Sequence, residues 1–149
     1  MGDFKLTSSA FEDGGEIPRE CGYKNGNKVP PLTVSGIPEG TKSLALIMDD
    51  PDAMEPAGKV WVHWVAWNMD LTFLPPIENL DKIEGMTDFG KAGYGGPAPP
   101  DKRHTYVFKL YALDCALKLA GGESTKADVE KAMEGHIIEQ TQLTGTYAP

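Results

Sequence analysis

Positive charge is short in this chain: 14 Lys and Arg stand against 22 Asp and Glu, a formal net charge of −8 in 149 residues. An acidic balance without clustered Lys or Arg disfavours nucleic acid and anionic membrane surfaces as partners. Cysteine is rarer still. Cys21 and Cys115 are the two cysteines, and no Cys-x-x-Cys spacing suggests zinc or redox chemistry; two free thiols in a reducing compartment are the first reading and a bridge between them the second. Long apolar runs are missing because charges or prolines interrupt them, and no membrane-spanning helix is expected. The opening Met1-Gly2-Asp3-Phe4-Lys5-Leu6 has no basic stretch ahead of an apolar core, and Leu6 stands where a myristoylation signal has Ser or Thr. The expected location is cytoplasmic. The hydrolase signatures Gly-x-Ser-x-Gly and His-Glu-x-x-His are absent too, as are internal repeats, low-complexity tracts and linkers. The length suits one domain, residues 1–149, that buries a core without disulfides.

What the chain does have is punctuation. Its 17 glycines and 12 prolines are spread between short apolar runs, the pattern of an all-β sandwich or barrel with little helix. Asp13-Gly14-Gly15 and Asn25-Gly26 supply residues that tolerate positive φ at tight turns. Ser43 to Asp49 is apolar on both faces and predicts a central strand. Val60 to Met69 is rich in β-branched and aromatic residues, and strict alternation would put Trp61, His63, Val65 and Trp67 on one face. His104 to Asp114 alternates likewise, placing His104, Tyr106, Phe108 and Leu110 together. Between Ser124 and Gln140 the apolar period changes to that of one amphipathic helix. Ser124 or Thr125 caps it, Asp128 sits in its first turn, and His136 falls on its packing stripe. A second short helix is expected over Ile77 to Ile83, and Leu143 to Tyr147 reads as a closing strand.

Two distant segments carry the chemistry. Asp50-Pro51-Asp52-Ala53 precedes His63, and Gly95-Gly96-Pro97-Ala98-Pro99-Pro100 precedes His104-Thr105-Tyr106. If their strands pack together, one carboxylate, two imidazoles and a phenol line a small polar pocket. Asp50 can fix the tautomer of His63 or His104, and ring N–H groups, the Tyr106 hydroxyl and backbone N–H groups of the Gly-rich turn then converge on a phosphate- or acetate-sized anion. Taken singly, each histidine reads as a satisfied core residue, Asp50-Pro51-Asp52 as a plain turn, and the Gly-rich loop as a linker that is no P-loop. Their joint occurrence is what points to a site.

These segments, together with Phe11-Glu12-Asp13-Gly14-Gly15-Glu16-Ile17-Pro18, Pro30-Pro31-Leu32, Tyr106-Val107-Phe108-Lys109-Leu110-Tyr111 and Leu143-Thr144-Gly145-Thr146-Tyr147, resemble the phosphatidylethanolamine-binding protein family, in particular its small bacterial and archaeal Raf-kinase-inhibitor-like members. The resemblance covers nearly the whole chain. It implies a Greek-key antiparallel β-sandwich with few helices, and an anion pocket for phosphate, acetate or a phospholipid head group such as phosphorylethanolamine. The residues matching that family pocket are Asp50, Ala53, Trp61, His63, Gly96, Ala98, Pro99, Pro100, His104 and Tyr106. Met54 stands where the family usually has Pro, and Thr105 where it usually has Arg, with Arg103 nearby as a partial substitute. The resemblance is also compatible with a homodimer. The leading expectation is a binding module that needs no cofactor, metal or turnover. One alternative is a protein-interaction module modulating a kinase or other enzyme. The other is a small hydrolase or metal-dependent enzyme using Asp50, His63 and His104.

Overall fold

The structure, a computed structural model, describes residues 3–69, 71 and 76–149. Met1 and Gly2, part of the N-terminal reading, lie outside them. In chain order the strands are β1 (Lys5–Thr7), β2 (Gly15–Glu16), β3 (Thr33–Ser35), β4 (Ser43–Asp50), β5 (Trp61–Trp67), β6 (Ile83–Glu84), β7 (His104–Leu113) and β8 (Ile137–Tyr147), with helices α1 (Met54–Ala57) and α2 (Lys126–Met133). One sheet has the order β2-β8-β7-β4-β5-β6, and β1 pairs with β3 in a second.

β4 is central, as its two-sided apolarity requires: all of its residues are buried, and it runs antiparallel to β5 on one side and β7 on the other. One face of the large sheet packs with the small one, where Leu6 and Val34 join Leu44, Leu46, Met48, Phe108 and Leu110 in a common core. On the opposite face Ala45, Ile47, Val65, Trp67 and Leu113 pack with Val129 and Met133 of α2. Each Leu-, Ile- or Phe-sized side chain so enclosed contributes roughly 1.5–3 kcal/mol of transfer free energy. The pairing is not wholly antiparallel: β2 joins β8 in parallel, Gly15 opposite Gly145 and Glu16 opposite Thr146.

Four local expectations change. The helix after Ser124 begins as read, with Thr125 and Asp128 forming a reciprocal capping box, but it stops at Met133 because Gly135, at φ +80°, turns the chain into β8. His136 therefore packs nothing on a helix stripe; it is exposed at the entry to β8. Ile77–Asn79 is a single 3-10 turn, and Ile83 belongs to β6. The closing strand is longer than read, reaching back to Ile137.

The fourth change, in β5, matters most for function. In β5 the register passes from Met48 opposite Trp64 to Asp49 opposite Val62, so His63 is an extra residue with no partner in β4. A bulge of this kind breaks the alternation. Val62, Val65 and Trp67 pack on the α2 side, whereas Trp64 and Ala66 belong to the other core. His63 turns to that same side, its ring 5.1 Å from Tyr106. Trp61 and His63 thus do not share a face with Val65 and Trp67.

Candidate functional site

The site forms where the C-terminal end of β4, the bulge in β5 and the first residues of β7 meet. Asp50 ends β4, and its Oδ1 accepts from the Asp52 N–H at 2.9 Å, holding the turn Pro51–Ala53. Asp52 in turn accepts from the Thr105 N–H at 2.8 Å, which ties that turn to β7. The other oxygen of Asp50 faces His104 Nδ1 at 2.6 Å. On the far side of the ring, His104 Nε2 lies 2.7 Å from Asp101 Oδ1. An imidazole can donate to two carboxylates at once only when protonated. Burial alone would lower the His104 pKa, but the hydrogen bonds to Asp50 and Asp101, with their charges, outweigh it and hold the ring above the ordinary histidine range. Desolvation raises Asp101, yet the His104 bond prevails and keeps its carboxyl below the usual value.

His63 is the opposite case. Its Nδ1 donates to the Gly95 carbonyl at 2.7 Å, which directs the lone pair to Nε2. Burial pushes its pKa below the ordinary value despite that bond and the charge of Asp50. One ring is therefore cationic and clamped, the other neutral with an acceptor nitrogen. The carboxylate expected beside one imidazole belongs to His104.

Tyr106 completes the row. Its ring is fully buried, and its hydroxyl has no hydrogen-bond partner among the described residues. Burial, followed by the nearby charge of Asp50, drives its pKa well up, and the approach of the Asp50 carboxylate to the hydroxyl adds to the rise; the Ala98 N–H pulls the other way, but neither group closes a well-formed hydrogen bond with the oxygen. The Gly-rich loop contributes less than expected. The Gly95 N–H donates to the His63 carbonyl at 2.9 Å and the Gly96 N–H to Asn27 Oδ1 at 2.7 Å. Pro97, Pro99 and Pro100 have no N–H to offer, which leaves Ala98 as the loop's available donor.

A cavity of about 200 Å³ lies among these groups, lined by Asp50, Ala53, Trp61, His63, Ala98, Pro100, His104 and Tyr106, all expected from the sequence. Gly96 and Pro99 are not on its wall. Gly96 is required for another reason, since a Cβ there would collide with the carbonyl oxygen of Cys21. Phe89, Pro56 and Ala57 line the cavity and were not anticipated. Phe89 stacks on Tyr23 with centroids 4.2 Å apart and meets His63 edge-on at 5.3 Å; its irregular segment carries no periodic signal. Asp101 was also missed, although its place three residues before His104 is a readable spacing. Met54 is 54% exposed and off the cavity wall. Arg103 does not replace the missing family arginine: its guanidinium turns to Glu16 at 2.8 Å and Thr146 at 3.1 Å.

Sequence and fold comparisons show which proteins the chain is similar to. The model of the family described as phosphatidylethanolamine-binding protein matches residues 7–148. A UPF0098 protein of Methanothermobacter thermautotrophicus is 43% identical over 150 residues, covering 95% of this chain and 97% of its own length. A UPF0098 protein of Archaeoglobus fulgidus is 40% identical over 149 residues, 94% of this chain and 50% of that protein, so the chain spans about half its length. Among solved structures, the phosphatidylethanolamine-binding protein homologue CT736 of Chlamydia trachomatis superposes with a TM-score of 0.89 at 36% identity, covering 97% of this chain and 96% of that one. YbcL of E. coli, described as a member of the mammalian PEBP family, gives 0.87 at 33% identity with 98% of both chains covered. Among the described residues, no helix is long and apolar enough to cross a membrane.

Proposed function

Because the chain belongs to the phosphatidylethanolamine-binding protein family, we propose that its cavity binds a small oxyanion, a phosphate-like group or phospholipid head group, without turning it over. The observation that carries this reading is the Tyr106 hydroxyl, buried without a partner beside the Ala98 N–H. Unsatisfied buried donors are costly, and an oxyanion supplies the acceptors. His63 Nε2 adds an acceptor that takes up the proton of a singly protonated guest, or a proton from solvent as the anion enters.

Charge narrows the ligand. Asp50 and His104 on the wall, with Asp101 behind the His104 ring, leave one net negative charge beside the cavity. Monoanions such as acetate or dihydrogen phosphate are therefore favoured over dianions, and a head group with its own ammonium, such as phosphorylethanolamine, over bare phosphate. The same triad argues against turnover: His104 cannot relay a proton or ligate a metal without releasing one of two short carboxylate contacts.

The test is thermal denaturation with millimolar acetate, phosphate or phosphorylethanolamine. A ligand at 100 times its Kd stabilises by about 2.7 kcal/mol, a Tm rise of roughly 5–10 °C for a chain of this size. The rise should vanish in His63→Gln. No rise with any of the three in the unaltered protein would end the proposal.

A further inference from the structure

A second cluster lies at the opposite end of β7, where the strand finishes at Leu113 and β8 begins. Asp114, Cys115 and His136 each place one ligand atom within 4.8 Å of the others. We propose that these three residues bind one zinc-class divalent ion, with water in the fourth position.

The donor set chooses the metal class. A thiolate, an imidazole and a carboxylate together suit Zn²⁺ and its borderline neighbours and disfavour Mg²⁺ and Ca²⁺, which take oxygen alone. Tetrahedral bonds of about 2.0–2.3 Å set ligand atoms roughly 3.3–3.8 Å apart, so closing the site needs the widest separation to contract by up to about 1 Å and the Asp114–His136 pair to open by about 0.5 Å. Exposed Asp114 and His136 side chains can supply it. They already face one another, with His136 Nδ1 and Asp114 Oδ1 2.8 Å apart.

The backbone beneath is fixed. The Asp114 N–H donates to the His136 carbonyl at 3.0 Å, and the carbonyl of Cys115 accepts from buried Ser43 Oγ at 2.7 Å. Two residues on, Leu117 exchanges two hydrogen bonds with the Asn68 side chain, at 2.8 and 2.9 Å. The Asp114–His136 contact alone is an exposed hydrogen bond of small worth, and the Cys115 thiol also lies against the Asp114 carboxylate. Cys115 is a free thiol. Ligation through Nδ1 moves the imidazole proton to Nε2, and the Cys115 thiol gives its proton to solvent, one proton released per ion.

The test uses the full chain with Zn²⁺ in competition with a chromogenic chelator, and with Co²⁺ as a spectroscopic probe. One equivalent should bind, with a thiolate-to-cobalt charge-transfer band. Cys115→Ser should abolish the band. Cys115→Ser and His136→Gln should each weaken Zn²⁺ by more than the roughly 10–100-fold lost with an outer partner. His63→Gln, at the anion cavity, should leave both signals unchanged. No uptake at micromolar Zn²⁺, uptake unchanged by both Cys115→Ser and His136→Gln, or loss on His63→Gln would overturn the proposal. Because the oxyanion reading is tested at His63 without metal, the two can fail independently.

Discussion

Replacing Tyr106 with Phe removes one oxygen and leaves the ring, packed 5.1 Å from His63 and 6.3 Å from His104, in place. The hydroxyl that is lost is buried and unpartnered. Such a group costs about 1–3 kcal/mol on mutational scales. With the low end taken, because cavity water offsets part of the cost, the unliganded variant gains about 1 kcal/mol. That corresponds to a Tm higher by roughly 2–4 °C. The same oxygen is a proposed donor to the bound anion, and a hydrogen bond to a charged acceptor contributes about 1.5–3 kcal/mol. Its loss weakens affinity roughly 10- to 150-fold. One substitution therefore moves two observables in opposite directions: the Tm without ligand rises and the ligand-dependent increment shrinks. Calorimetric unfolding with and without phosphorylethanolamine reads both. A variant several degrees less stable than the parent, or one that keeps its full ligand increment, would refute the reasoning.

Loss of His104 should be far more damaging. His104→Ala strands the buried Asp50 carboxylate, at a cost of about 3–5 kcal/mol in urea denaturation near neutral pH. His104→Gln, which still reaches one carboxylate, should cost less. With its pKa raised in the folded protein, the contribution of His104 is complete below the unfolded value near 6.5 and fades as pH rises through the folded one. The stability gap between the parent and His104→Gln should accordingly narrow at alkaline pH, and a pH-independent gap would contradict a cationic ring. Arg103→Ala should leave anion affinity unchanged and cost under about 1 kcal/mol, because its exposed contacts are to Glu16 and Thr146; a large affinity loss by calorimetry would place it at the pocket instead. Gly145→Ala should destabilise by about 1–3 kcal/mol, since its Cβ would lie 2.6 Å from Ile17 and 2.8 Å from Phe11; unchanged denaturant midpoints would show that this contact relaxes freely.

What the sequence made legible follows from where local pattern and tertiary geometry agree. The alternation from His104 to Leu110 survives intact, and all four expected residues are buried on one face. The apolarity of Ser43 to Asp49 identified β4 as central because no other place hides both faces. β5 misled because a bulge adds one residue without any residue type that announces it, and that added residue is His63. The helical spacing runs past the helix itself because His136 and Ile137 continue it by coincidence, beyond the glycine that stops it. The parallel β2–β8 pair joins residues 130 positions apart and leaves no local trace. In the site, eight of the ten residues expected from motif and resemblance line the cavity. Asp101, a carboxylate among Pro, Lys and Arg, reads as a surface turn residue; its spacing of three from His104 is the one sequence signal for its 2.7 Å contact with that ring.

The protonation of His63 is the most direct probe of the oxyanion pocket. Nitrogen-detected NMR of the histidine rings across pH, with and without phosphate, should find His63 as a neutral ring carrying its proton on Nδ1 when no anion is present, with a midpoint below the ordinary histidine value. Phosphate should raise that midpoint while leaving the His104 titration, above the ordinary histidine value, where it is. A His63 signal that does not respond to saturating phosphate, or one already protonated at neutral pH without it, would contradict an oxyanion bound at this nitrogen.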